Sequence, residues 1–160
     1  MYIHRNLENI DLETICTFPQ NEEELYYISP RFTYPLTPDQ ILSLLQDRHE
    51  PTVVLNKHTN EVVAYANIYG NDPAERTCWL GNVIVSPGYR GTGAAPFLIG
   101  VMLDKAKNSL GSQTLRLACH STNSRGLAFY AKQGFKPFDL RITKTEEKSM
   151  ITIHMVKALI

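Results

Sequence analysis

From Val83 the chain reads Val83-Ile84-Val85-Ser86-Pro87-Gly88-Tyr89-Arg90-Gly91-Thr92-Gly93-Ala94-Ala95, an apolar β-rich run that breaks into a turn of small residues and then enters a helix. Gly91 and Gly93 open backbone angles closed to other residues, and Ala94 and Ala95 let a ligand approach the main chain. Unpaired N–H groups at the start of the helix point into such a turn, where the helix dipole favours negative charge. The segment predicts a strand, an anion seat and a helix, with a phosphate as the natural guest.

Two common owners of such turns are excluded by their missing parts. A nucleoside-triphosphate loop needs Lys-Ser or Lys-Thr after its last glycine, and here Ala94 and Ala95 follow Gly93. A dinucleotide fingerprint needs a third glycine where Pro96 stands. It also needs an acid about twenty residues downstream for the ribose, yet no Asp or Glu lies between Asp104 and Asp139.

Arg90, Gly93 and Ala95 fill the fixed places of the Arg/Gln-x-x-Gly-x-Gly/Ala turn, and the chain thereby resembles the GNAT superfamily of N-acetyltransferases. A second block, Asn123 to Phe135, contains Asn123, Gly126, Phe129-Tyr130 and Gly134-Phe135, and is similar to the Asn-x-x-Ala/Gly-x-x-Leu/Phe-Tyr-x-x-x-Gly-Phe element of the same superfamily. The resemblance covers about Leu80 to Phe138. It implies an α/β fold with a mixed, mainly antiparallel sheet of about seven strands, flanked by helices and splayed between strands four and five. Acetyl-CoA would insert its pantetheine arm there.

The same resemblance implies roles for particular residues. The cosubstrate's pyrophosphate would sit on Arg90, Gly91, Thr92, Gly93, Ala94 and Ala95, mostly through main-chain N–H groups. Pro96 departs from the pattern and can donate nothing. Val83, Ile84 and Val85 would offer main chain to the pantetheine, as to an added strand, and a backbone N–H at Val83 or its neighbour would polarise the thioester carbonyl. Tyr130 would protonate the departing thiolate, and Asn123 would contact the cofactor while capping its helix.

Asn82 is polar within the apolar run Leu80 to Val85, so once buried it must be hydrogen-bonded; it either pins a bulge or faces the acceptor. No carboxylate lies in Arg76 to Val85 to act as general base. Asp72, Glu75 and His120 are the nearest candidates, and a water relay through Asn82 is an equal alternative. Phe32, Tyr34, Asn67 and Tyr69 are candidates for holding the acceptor.

The net charge of +0 conceals two halves of opposite character. Residues 86–138 hold seven Lys and Arg against Asp104 alone, suiting a phosphorylated cosubstrate, whereas residues 1–75 hold twelve Asp and Glu against four Lys and Arg, suiting a cationic amine. The basic residues lack the dense patch with interleaved aromatics that recruits nucleic acid. His4, His49, His58 and His154 lack metal-ligand spacing, and Cys119 with His120 would point to opposite faces of a strand.

A chain of 160 residues fits one domain, residues 1–160. No apolar run reaches membrane-span length and the N-terminus lacks a signal region, so a soluble, cytoplasmic monomer or homodimer is expected. Cys16, Cys78 and Cys119 read as buried reduced thiols.

Turn signals predict the elements: a strand Tyr2 to Asn6, helices Ile10 to Phe18 and Glu22 to Ile28, and a helix capped by Thr37 with Pro38 first. A hairpin Thr52 to Asn56 and Glu61 to Tyr69 follows, then a strand Arg76 to Val85, a helix Ala94 to Asn108 and a strand Thr114 to Cys119. A helix Ser124 to Gln133 and a hairpin, Phe138 to Thr143 and Met150 to Val156 turning at Glu146-Glu147, complete the order. The reaction expected from the resemblance is acetyl transfer from acetyl-CoA to a small-molecule amine by direct attack in a ternary complex. The alternatives are a CoA-sensing module without transfer, and acetylation of a protein N-terminus or lysine.

Overall fold

The computed structural model describes residues 1–144 and 148–160. The strands are β1 (Tyr2–Asn6), β2 (His49–Asn56), β3 (Val62–Asp72), β4 (Thr77–Val85), β5 (Thr114–His120), β6 (Lys136–Lys144) and β7 (Ser149–Ala158). The helices are α1 (Leu12–Cys16), α2 (Glu22–Ile28), α3 (Pro38–Leu45), α4 (Ala94–Asp104) and α5 (Ser124–Lys132). The predicted turn at Glu146-Glu147 lies outside the described residues.

The strands form one sheet in the order β1-β2-β3-β4-β5-β7-β6, antiparallel everywhere except between β4 and β5. That parallel seam is short: only Thr77, Cys78 and Trp79 pair, with Thr114, Leu115 and Arg116. Past it the strands part, leaving Leu80–Val85 and Leu117–His120 without each other's hydrogen bonds, as the expected splay requires.

Period-two alternation gives each face of the sheet its own core. On one face Val54, Ala64, Ala66, Ile68 and Leu80 pack beneath Leu98, Ile99 and Met102 of α4. On the other, Val53, Leu55, Tyr65 and Ile84 meet Leu12 and Ile15 of α1, Leu25 of α2, and Ile41 and Leu44 of α3. The sheet is thus sandwiched between helical layers.

Several predicted boundaries move, for local reasons. The first helix opens as a 3₁₀ turn at Asn9–Asp11 and ends at Cys16. Thr37 stands at the cap position of α3, but its side chain caps nothing; its hydroxyl instead accepts from Gln40 at 3.2 Å. The helix predicted to Asn108 is α-helical to Asp104 and continues as a π-helical turn over Lys105–Ser109, ended by Gly111 at φ +70°. All three cysteines are free, but Cys16 is only half-buried while Cys78 and Cys119 are buried as predicted. Among the described residues no helix is long and apolar enough to cross a membrane.

Candidate active site

The parting of β4 and β5 opens a cleft of about 1180 Å³. Its walls are Leu80–Val85 of β4, Leu117–His120 of β5, the turn residues Arg90, Gly91, Gly93, Ala95 and Pro96, Asn123 with the face of α5 that carries Gly126, Phe129 and Tyr130, and Tyr26 and Tyr27 of α2.

At one end lies the glycine turn. Gly91 sits at φ +77° and Gly93 at φ +95°, the latter directly before the first residue of α4. Thr92 N–H bonds the Tyr89 carbonyl and Phe97 N–H the Gly93 carbonyl, at 3.3 and 3.1 Å, whereas the N–H groups of Gly91, Gly93, Ala94 and Ala95 find no acceptor among the described residues. Unused donors converging at a helix start fit a phosphate.

The predicted seat is refined residue by residue. Thr92 braces the turn, its hydroxyl 2.6 Å from Tyr2 Oη and bonded to the Tyr89 carbonyl, and its side chain does not line the cleft. The Ala94 methyl is buried in the core beneath α4. Gly91, Gly93, Ala95 and Pro96 do line the cleft. The Arg90 guanidinium is held by Glu24 of α2 at 2.8 Å, so α2 is tied to the turn. Burial raises the Glu24 carboxyl, but the Arg90 hydrogen bond, a backbone N–H from Gln20 and the charges of Arg90 and Arg125 outweigh it and hold the group below its ordinary value.

At the middle of the cleft Asn82 adopts φ +52°, a conformation that Asn tolerates better than most residues. It lies in a bulge where the β3–β4 register shifts between Tyr65↔Ile84 and Asn67↔Gly81. Its buried amide oxygen accepts from Asn67 Nδ2 at 2.9 Å, which pins the bulge, and the residue also lines the cleft. Asn67 Nδ2 also reaches Tyr65 Oη at 2.9 Å, and its Oδ1 accepts from Arg48 Nη1 at 3.0 Å. Val83 and Val85 are half-buried beside the cleft, while the Ile84 side chain is in the opposite core.

On the far wall Asn123 caps α5, accepting from Gly126 N–H at 3.0 Å, and lines the cleft. Tyr130 projects from α5 between Phe129 and Phe135, with ring centroids 5.3 and 6.0 Å away. Its hydroxyl has no hydrogen-bond partner among the described residues, and part of its surface stays open to the cleft although protein surrounds it. Burial, helped by the nearby Cys119, pushes the phenol above its ordinary value, so it is protonated at neutral pH.

His120, at the end of β5, lies against Tyr26 and Tyr27 with centroids 5.4 and 5.3 Å away, and its Nδ1 is 2.8 Å from Thr122 Oγ1. It lines the cleft rather than the outer surface. Of the acceptor candidates Tyr69 lines the cleft and Asn67 supports Asn82 from beneath it. Phe32 is instead buried in the core over α3, and Tyr34 is exposed away from the cleft. Arg31, Arg48, Tyr26 and Tyr27 line the cleft without having been singled out in the sequence. No group of three metal-ligating side chains occurs among the described residues.

The enclosed groups make stability fall at high pH. Burial pushes Tyr65 from near 10 up to about 12, and Cys16 and Cys119 from near 9 up to about 11; Tyr130 moves the same way. The folded state binds these protons more tightly than the unfolded chain, so their contribution is complete below about pH 9 and is lost as pH rises through about 12. Urea midpoints should hold between pH 7 and 9 and decline above; a midpoint flat to pH 11 would contradict this.

The family model described as acetyltransferase (GNAT) family matches residues 13–135. Proteins of Mycobacterium bovis and Mycobacterium tuberculosis, named as uncharacterized N-acetyltransferases, are 34% identical over 84 residues. That match spans 52% of this chain and 52% of each relative, about half the length of the curated proteins. The spermidine N-acetyltransferase from Vibrio cholerae in complex with CoA and spermine superposes with a TM-score of 0.80, at 19% identity, over 99% of this chain and 95% of that one. The ribosomal-protein-S18-alanine N-acetyltransferase from Escherichia coli superposes at 0.71, with 21% identity, over 99% and 94%. At such identities the superpositions show a shared fold.

Proposed function

The chain belongs to the GNAT acetyltransferase family, and from that premise we propose that it transfers an acetyl group from acetyl-CoA to the primary amine of a small molecule. The observation that carries this reading is one cleft joining a turn of unused N–H donors, a strand edge without a partner, and a phenol with a free hydroxyl. Bound there, acetyl-CoA supplies the activated acetyl thioester.

The chain's own groups divide the remaining work. Main-chain N–H groups of Gly91, Gly93, Ala94 and Ala95 hold the pyrophosphate, with Arg90 fixing the turn through Glu24. The free edge of β4 at Val83 to Val85 aligns the pantetheine, and Asn123 borders it from α5. The bulge at Asn82 turns the main chain locally, so that an N–H at Asn82 or Val83 faces the thioester oxygen. Tyr130 holds a proton for the thiolate. His120 is the one imidazole among the described residues lining the cleft, placed to receive the amine's proton directly or through water. No acyl-enzyme is required, since amine and thioester meet in one ternary complex. Three free thiols suit a reducing compartment, and we place the protein in the cytoplasm.

The test is release of CoA thiol from acetyl-CoA across a panel of small amines and N-terminal peptides, with the acetylated product identified by mass. Transfer to at least one small amine is expected. Acetyl-CoA binding with no transfer to any acceptor would overturn the reading in favour of a sensing module, and transfer to peptides alone would move the substrate class.

A further inference from the structure

Arg48, directly following the loop after α3, is a half-buried cation that packs its guanidinium 4.3 Å from the centroid of the Tyr69 ring. Room for it exists because β4 has a glycine at this point. A Cβ on Gly81 would run into Arg48 Nη1 and would stand 2.8 Å from Tyr69 Cδ1 and 2.9 Å from Asn67 Oδ1. Strand, ring and amide together form a cradle shaped for a guanidinium.

A guanidinium has five N–H donors, and here one bond is made, from Nη1 to Asn67 Oδ1 at 3.0 Å. No carboxylate forms an ion pair with Arg48 among the described residues. None of its nitrogens is a buried atom without a partner, so the unused donors open on the cleft. Arg31 adds a second positive charge at the same mouth. Asp47 lines that mouth too, but it is exposed and does not pair with Arg48.

Resting on the acetyltransferase reading, we propose that Arg48 anchors the carboxylate of the acceptor, whose amine therefore belongs to a short amino acid or similar aminocarboxylate. A planar fork with free donors matches a carboxylate bidentately. The spacing limits the acceptor's length. The Asn67 carboxamide takes Arg48 on its oxygen and Asn82 on its nitrogen, so anchor and bulge stand one amide apart. An acceptor held at both points is therefore short. A polyamine would instead bring a second cation against Arg48 and Arg31, a like-charge contact.

From residues 1–75 the cleft takes Glu23, Glu24 and Asp47 together with Arg31 and Arg48, so it offers carboxylates to an amine and guanidinium groups to a carboxylate.

Matched pairs test the assignment on the full chain. N-acetyl amino acids and their decarboxylated N-acetyl amines are titrated calorimetrically into the protein saturated with CoA, and the parent amines are compared as acceptors. The carboxylate forms should bind roughly a hundredfold more tightly and show a similar advantage in kcat/KM. Arg48→Met should abolish the difference, and Arg48→Lys should restore part of it. Equal binding within pairs on the unaltered protein, a preference for polyamines, or a preference surviving in Arg48→Met would each overturn the proposal. Failure of transfer to every amine would overturn the catalytic reading alone, because the product titrations decide on Arg48 without turnover.

Discussion

Replacing Tyr130 with phenylalanine is expected to lower turnover roughly a hundredfold to a thousandfold while leaving acetyl-CoA affinity unchanged. A departing thiolate needs a proton, and Tyr130 offers an uncommitted O–H inside the cleft. Surroundings that hold back the phenol's ionisation would also raise that of a neighbouring thiol, as they raise Cys119 to about 11. A departing thiolate made more basic in this way narrows the gap to the phenol from which it takes the proton. The substitution removes one oxygen that bonds nothing among the described residues and keeps the ring between Phe129 and Phe135, so neither packing nor the distant glycine turn should change. Steady-state kinetics with calorimetric titration of acetyl-CoA separates the two effects, and undiminished turnover would remove Tyr130 from the chemistry.

The second large effect is expected from Ala95→Asp, which should weaken acetyl-CoA binding by about a hundredfold or more, equivalent to about 2.8 kcal/mol. Ala95 lies in the first turn of α4 and borders the cleft. A carboxylate there would occupy the donors we assign to the pyrophosphate and repel its charge. The same helix field should keep the variant at least as stable as the parent, because acids in a first turn are favourable. Unchanged or raised thermal stability with lost binding is thus the paired result. Binding that survives would place the phosphates elsewhere.

What was legible in the sequence were features whose cause is local. Positive φ at Gly91 and Gly93, the Asn123 cap and the Phe129-Tyr130 pair each impose a residue type at a fixed offset, so the turn and the opposite wall could be read directly. Asn82 was legible as an anomaly, a polar residue in an apolar run, although its bulge needed the register of β3. Arg48 was not legible. Its meaning depends on the empty position at Gly81, the ring of Tyr69 and the amide of Asn67, which meet only when three separate segments fold together. His120 was legible only as one of three candidate bases, because its position depends on α2 bringing Tyr26 and Tyr27 against it. At Thr92 and Ala94 the pattern marks the main chain of the turn, and only packing shows that their side chains are spent on Tyr2 and on the core.

The seam of three residue pairs between β4 and β5 gives the sheet an unusual mechanical character. It is two plates, β1 to β4 and β5 to β6, joined along the sheet by a narrow hinge at one end and open at the other. Whatever lies in the open wedge and bonds to β4 becomes the keystone between them. Resistance to unfolding should then rise with the concentration of a ligand bound there, by about 2.7 kcal/mol at a hundred times the dissociation constant.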